Sequence, residues 1–192
     1  LAIGCAYYGA VELGDQPWPL NNHYLGSSYS NDVIESELNG NSISYLFEED
    51  PAAVGAEYIQ DGRIIGWYQG RSEIGARALG NRSILARADD AGMKDRVNAR
   101  IKYRESFRPF APTALLEESA SWFDTSDIDF PSMSITVDVK HGAKRRLDAI
   151  THVDGTARLQ TLRSSQNEVF YSLIQNNYLN LYISKIYYFL NQ

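Results

Sequence analysis

The sequence holds a single cysteine, Cys5, in 192 residues. That excludes an internal disulfide and a thiolate zinc cluster, and it fits the reducing cytoplasm. Only three histidines occur, His23, His141 and His152, and their wide spacing makes no metal-ligand pattern. No apolar run approaches the roughly 20 residues that cross a bilayer. Leu1-Ala2-Ile3-Gly4-Cys5-Ala6 has no basic flank, so it does not read as a signal peptide. Repeats and low-complexity tracts are absent too. What is there is ordinary: 44% hydrophobic and 22% charged residues, which excludes disorder of the whole chain. At this length roughly 70% of the unfolded surface can be buried, enough for one domain, or one domain plus a piece of another. The chain starts without Met, as expected of a fragment or a processed product.

Net charge is −6, and its placement says more than its sum. From Arg71 to Arg108 there are ten basic and five acidic residues, whereas the remainder has 8 basic and 19 acidic. One basic segment in an acidic chain is poorly suited to broad nucleic-acid binding. It suits a compact anion such as a nucleoside triphosphate. By charge alone, a solvated helix face laced with ion pairs explains the segment better.

The coarse pattern is mixed. Leu1 to Val11 reads as a short buried helix. Residues 15–41 read as a linker with one short helix, Asn31 to Leu38. Ser42 to Phe47 alternates like a strand. Asp50-Pro51 caps a helix that runs to about Ile59 and stops at Asp61-Gly62. Arg63 to Tyr68 and Ser83 to Ala86 read as strands. Met93, Val97 and Ile101 mark the buried face of a helix from Gly92 to Lys102. Thr113 to Leu116 is an apolar strand, and Ser132 to Val139 alternates strictly. Residues 149–153 and 157–162 flank Asp154-Gly155 as a hairpin would. Ser165 and Glu168 read as a capping box for a helix bearing Val169, Phe170, Leu173 and Ile174. Tyr178 to Gln192 reads as a last strand. The sum is an α/β domain with a mixed sheet.

Three segments carry residues suited to chemistry. In Gly66 to Ser83, four glycines (Gly66, Gly70, Gly75 and Gly80) and three arginines (Arg71, Arg77 and Arg82) follow directly on a strand. Glycine lets backbone amides approach a ligand, and arginine offers planar forks for phosphate or carboxylate oxygens. The spacing matches neither a Walker loop nor a dinucleotide turn, and a tight strand connection would look similar. Asn98 to Pro112 puts Lys102, Arg104 and Arg108 where a helix ends and a Pro-bounded loop begins. Cations there also complement the helix dipole. His152-Val153-Asp154-Gly155-Thr156-Ala157-Arg158 is either a plain hairpin tip or a third wall of a site.

Taken together, these segments resemble the C-terminal domain of the NodU/CmcH family of O-carbamoyltransferases. The resemblance covers about Ile43 to Tyr178. It implies a YrdC-like mixed twisted sheet with flanking helices over residues 42–192. Residues 1–14 would be the terminal helix of a preceding actin-like transferase domain. It also implies an activity: carbamoyl phosphate and ATP combine into carbamoyl-adenylate, for transfer to a small-molecule hydroxyl by that preceding domain. Expected partners are therefore carbamoyl phosphate, ATP with Mg²⁺, and the preceding domain, with no membrane and no nucleic acid. Lys102 and Arg108 are expected to hold the triphosphate, and Arg77 the carbamoyl or carbamoyl-phosphate group. Arg158 would face the same site, with Arg71, Ser83 and Arg104 in support. Several cations are needed, since each supplies roughly 4 kcal/mol at ~4 Å and an effective dielectric near 20.

The chain departs from the family's pattern in two places. The transferase metal of the family is held by a His-x-x-x-His arrangement in the preceding domain, and no such arrangement occurs here. The family's Asn-Thr-Ser-Phe-Asn turn is expected after residues 182–191, where this chain reads Gln192 instead. A shortened C-terminus is the expectation. An RNA-binding module and an inactive fragment are the two other readings.

Overall fold

The computed structural model describes residues 2–20, 22–103, 105, 107, 110–126, 128–176 and 181–184, with only the backbone at Lys102 and 181–184. Helix α1 spans Ala2–Glu12, α2 Asn31–Gly40 and α3 Pro51–Gln60. Strands β1 (Ile65–Tyr68) and β2 (Arg82–Arg87) follow, then α4 (Met93–Val97), which continues as a π-helical turn over Asn98–Lys102. Next come β3 (Ala111–Leu115), α5 (Leu116–Trp122), β4 (Val137–Asp138) and β5 (Thr156–Ala157). The described chain closes with β6 (Gln160–Leu162), α6 (Glu168–Gln175) and β7 (Leu181–Ser184).

Five strands make one sheet in the order β1-β2-β7-β3-β6. The strand latest in sequence, β7, is central and antiparallel to both β2 and β3, while β3 and β6 are parallel. Alternation along the strands builds two cores. Ile84, Ala86 and Ala114 face one, with Met93, Val97, Phe110, Phe123, Leu147 and Leu159. Leu85 and Leu115 face the other, with Ile59, Phe170, Leu173 and Ile174 from α3 and α6. The expected mixed α/β sheet with flanking helices is therefore present.

Local chemistry explains the helix ends. The Asp50 carboxylate accepts the Ala53 N–H at 3.0 Å, and Pro51 occupies the first turn. α2 ends in a Schellman motif: Ser42 is left-handed at φ 54°, and its N–H donates to Asn39 while that of Ile43 donates to Leu38.

That cap accounts for one correction. Ser42 to Phe47 is not a strand, because Ser42 and Ile43 complete the helix end and the rest stays irregular and exposed. α1 forms as expected but buries no residue, since helix propensity and apolar composition do not by themselves supply a packing surface. Ser132 to Val139 forms a strand only at Val137–Asp138, with an isolated antiparallel bridge from Val139 to Phe123, because Met133 is left-handed (φ 50°) and breaks the alternation. Ile135 is 58% exposed while Met133, Val137 and Val139 are buried.

The Asp154-Gly155 turn forms, closed by His152 N–H donating to Thr156 at 2.8 Å. Its arms do not pair with each other. Residues 147–151 make a helical turn, and β5 and β6 pair with β4 and β3 instead. The cap of α6 is Asn167, whose side chain accepts the Phe170 N–H at 3.1 Å, in place of Ser165. Val169 faces outward at 41% exposure. Of the expected last strand, Leu181–Ser184 is β7, and residues 178–180 and 185–192 lie outside the described residues.

Candidate active site

The loop from Gln69 to Arg82 joins β1 to β2 and is tied from within. One oxygen of Glu73 accepts the N–H groups of Leu79, Asn81 and Arg82 at 2.6, 2.8 and 3.2 Å. The Arg82 guanidinium donates to the carbonyls of Gln69, Asn81 and Gly70, and sits 3.5 Å from the centre of the Tyr68 ring. The Asn81 amide donates to the Arg71 carbonyl at 2.6 Å, and its oxygen accepts from the Asn167 side chain at 2.6 Å. Ser83 Oγ accepts the Gly80 N–H at 3.1 Å.

Neighbouring elements hold this loop from outside. Tyr24 donates to the Leu79 carbonyl at 2.7 Å, and Gln160 donates to the same oxygen at 3.2 Å. Burial pushes the Tyr24 hydroxyl up to about 12, with Glu73 pushing the same way, so it remains a donor near neutrality. Gly80 has φ 105°, and a Cβ there would run into the Phe170 ring, so glycine is required.

Against this loop opens a cleft of about 990 Å³. Ile74, Gly75, Ala76, Arg77 and Leu79 form one wall. Residues 132–136 and Arg158 form another, His23 and Leu20 a third, and Ala2, Ile3, Gly4 and Tyr7 of α1 reach the rim. The volume lies within the usual range for small-molecule sites. Arg77 and Arg158 come from segments 81 positions apart in sequence, and both are half-buried here. Two such guanidiniums suit a phosphate or a carboxylate. His23 Nε2 lies 2.6 Å from Ser132 Oγ.

Near Arg158, the His152 imidazole is held below its ordinary range, first by burial and also by the Arg158 charge, against the pull of Asp154. Hydrogen bonds from Thr156 lower the Asp154 carboxyl.

The other expected site residues fall elsewhere. Arg71 is exposed and donates to the Leu25 carbonyl at 3.3 Å. Ser83 is buried within the loop it braces. Arg104 and Arg108 lie outside the described residues, and of Lys102 only the backbone is described. A second hollow of about 430 Å³, lined by Arg100, Tyr103 and Gly66, adjoins the same π-helical turn. The reading by residue type overlooked Glu73, Asn81, Asn167 and Tyr24, which position the loop, and His23 and Ser132 in the cleft. Glu73 lies within Gly66 to Ser83, among glycines and arginines whose chemistry dominates that stretch. Among the described residues no group of three or more His, Cys, Asp or Glu could hold a metal ion. No helix among them is long and apolar enough to cross a membrane.

The class is a mixed α/β domain with an arginine-lined cleft whose chemistry suits an anion. Residues 56–184 match the family model described as carbamoyltransferase C-terminus, and the chain belongs to that family. It is 45% identical to the nodulation protein NolNO of Sinorhizobium fredii over 181 residues, 90% of this chain and 26% of that protein. It is 37% identical to a 3'-hydroxymethylcephem-O-carbamoyltransferase of Streptomyces clavuligerus, over 90% of this chain and 32% of that enzyme. The chain thus spans about a quarter to a third of the length of these relatives. The crystal structure of HypF from T. kodakarensis shares the fold, with a TM-score of 0.54 at 17% identity over 75% of this chain and 18% of that one. The YrdC-like fold class expected from the sequence therefore stands.

Proposed function

We propose that this chain is the part of an O-carbamoyltransferase that takes up carbamoyl phosphate and ATP and forms carbamoyl-adenylate. The observation that carries the reading is the placement of Arg77 and Arg158 on one cleft. In this reading the two guanidiniums bind the phosphate of carbamoyl phosphate. Water then cleaves its O–P bond, giving carbamate and inorganic phosphate. A carbamate oxygen attacks the α-phosphorus of ATP, the bond to the bridging oxygen breaks, and pyrophosphate leaves. The chain's contribution is positioning and charge neutralisation. Glu73 and Arg82 fix the loop beforehand, so little reorganisation remains for the moment of reaction.

In this scheme Lys102 and Arg108 hold the triphosphate, and Arg104 adds positive charge to it. Mg²⁺ would arrive with the ATP that Lys102 and Arg108 hold, and would supply further neutralisation of the triphosphate charge. The cephem enzyme's name suggests the acceptor class, a small-molecule hydroxyl, and in this reading transfer to it belongs to the portion of the longer proteins outside this chain.

The test is pyrophosphate release from ATP, with and without carbamoyl phosphate. Release that needs both substrates, and is lost in Arg77→Ala and Lys102→Ala variants of unchanged circular dichroism, supports the reading. Binding of neither substrate by the folded chain would overturn it.

A further inference from the structure

We propose that His23 and Ser132 form a subsite that reads the carbamoyl end of carbamoyl phosphate, and so separates it from acyl phosphates of the same shape. The inference rests on the reading that the cleft takes carbamoyl phosphate. Its basis is a polar pair that the two arginines do not explain. His23 Nε2 and Ser132 Oγ meet at 2.6 Å although 109 residues apart in sequence, and both line the cleft with Arg77 and Arg158.

Both residues are fixed by their surroundings. The His23 carbonyl accepts the Ile74 N–H at 2.7 Å and the Leu25 N–H at 3.0 Å. Further along, Gly26 and Ser72 as well as Ser72 and Ser27 pair through their backbones. The His23 segment is thus laced to the arginine loop. Ser132 precedes Met133, whose side chain is buried and whose backbone is left-handed. Both His23 and Ser132 are half-buried, whereas Ser134 and Thr136 of the same wall are exposed. Water serves the exposed hydroxyls readily; the half-buried pair is costlier to leave unmatched.

Arginine only donates hydrogen bonds, so it matches phosphate and carbonyl oxygens but cannot accept from an amide NH₂. Carbamoyl phosphate carries that NH₂, and acetyl phosphate has a methyl group in its place. Ser132 Oγ supplies the acceptor in either histidine tautomer. When Nε2 accepts the hydroxyl proton, both oxygen lone pairs can still accept. When Nε2 donates, one lone pair remains and the hydroxyl proton can reach the carbonyl oxygen. A methyl group leaves the lone pair desolvated and unpaired. Sites built this way discriminate far better than apolar pockets.

The experiment is calorimetric titration of the full chain with inorganic phosphate, acetyl phosphate and carbamoyl phosphate. Wild type is expected to bind carbamoyl phosphate about tenfold or more tightly than acetyl phosphate. Ser132→Ala is expected to bring the two within about threefold while inorganic phosphate binds as in wild type, which also reports an intact fold. Ser132→Thr, which keeps the hydroxyl, is expected to restore the preference. If Ser132→Ala fails to fold, His23→Ala decides: without Nε2 to hold it the Ser132 hydroxyl loses its fixed direction, and a partial narrowing is expected. An unchanged preference in either folded variant, or no preference in wild type, would overturn the subsite while the arginine cleft stands. Failure of all three phosphates to bind wild type would overturn the cleft reading itself, and the subsite with it.

Discussion

In the loop from Gln69 to Arg82, one carboxylate, one guanidinium and two amide side chains hold the backbone from several directions. In the first 48 residues, by contrast, helices α1 and α2 bury no residue at all. Both regions contain glycine and apolar side chains in quantity. They differ in what the side chains can reach. Phe170 and Asn167 of the α6 start, Gln160 and Tyr24 converge on the loop from three separate parts of the chain, whereas α2 is held mainly by its own caps, Ser30 and Ser42. Long-range contacts make a loop rigid, and local caps only make a helix possible.

This contrast can be broken most severely at Gly80. Gly80→Ala adds a Cβ into Phe170 at a left-handed backbone, and we expect a loss of about 3–5 kcal/mol, read as a fall in the denaturant midpoint. Glu73→Ala leaves three loop amides without their acceptor. A loss of about 1.5–3 kcal/mol is expected, together with weaker phosphate binding at Arg77, measured by chemical denaturation and calorimetry. Stability unchanged by Glu73→Ala would mean the loop is held by something else. At the other end of the scale, Val33→Ser on α2 should change stability by no more than about 0.5 kcal/mol, since Val33 is 46% exposed. A large effect there would erase the distinction between the regions.

A smaller effect is expected with pH. Burial and the Arg158 charge hold the His152 imidazole below its ordinary value. Its contribution to stability is then complete above the unfolded value of about 6.5 and fades as pH falls through the lower folded value. His152→Gln should flatten the stability profile on the acid side of pH 6.5 and leave it unchanged above. A loss of stability on raising the pH instead would contradict the assignment.

Much of the sheet was legible in the sequence. The Asp50-Pro51 cap, the strands after Arg63 and Ser83, and the Met93–Val97 face all follow from local chemistry, and all appear in the structure. The failures share a cause. Ser132 to Val139 and the arms around Asp154-Gly155 carry strand-like patterns, yet left-handed Met133 and the turn at 147–151 redirect them. Those backbone choices depend on tertiary contacts that periodicity does not record. The site shows the same division. Arg77 and Arg158 stood out as charged residues in unusual segments, whereas His23 and Ser132 sit in stretches that read as linker and strand. Their pairing across 109 positions has no local signature.

The central claim is that Arg77 and Arg158, from two segments of the cleft lining, act on one bound anion. The most direct measurement is a double-mutant cycle for carbamoyl phosphate binding by wild type, Arg77→Ala, Arg158→Ala and the double variant. Each single change is expected to weaken binding by about tenfold or more. Because both act on one ligand, the double variant should fall short of the product of the two losses, with a coupling of about 0.5–3 kcal/mol. Strictly additive losses, or binding by the double variant equal to wild type, would contradict the account.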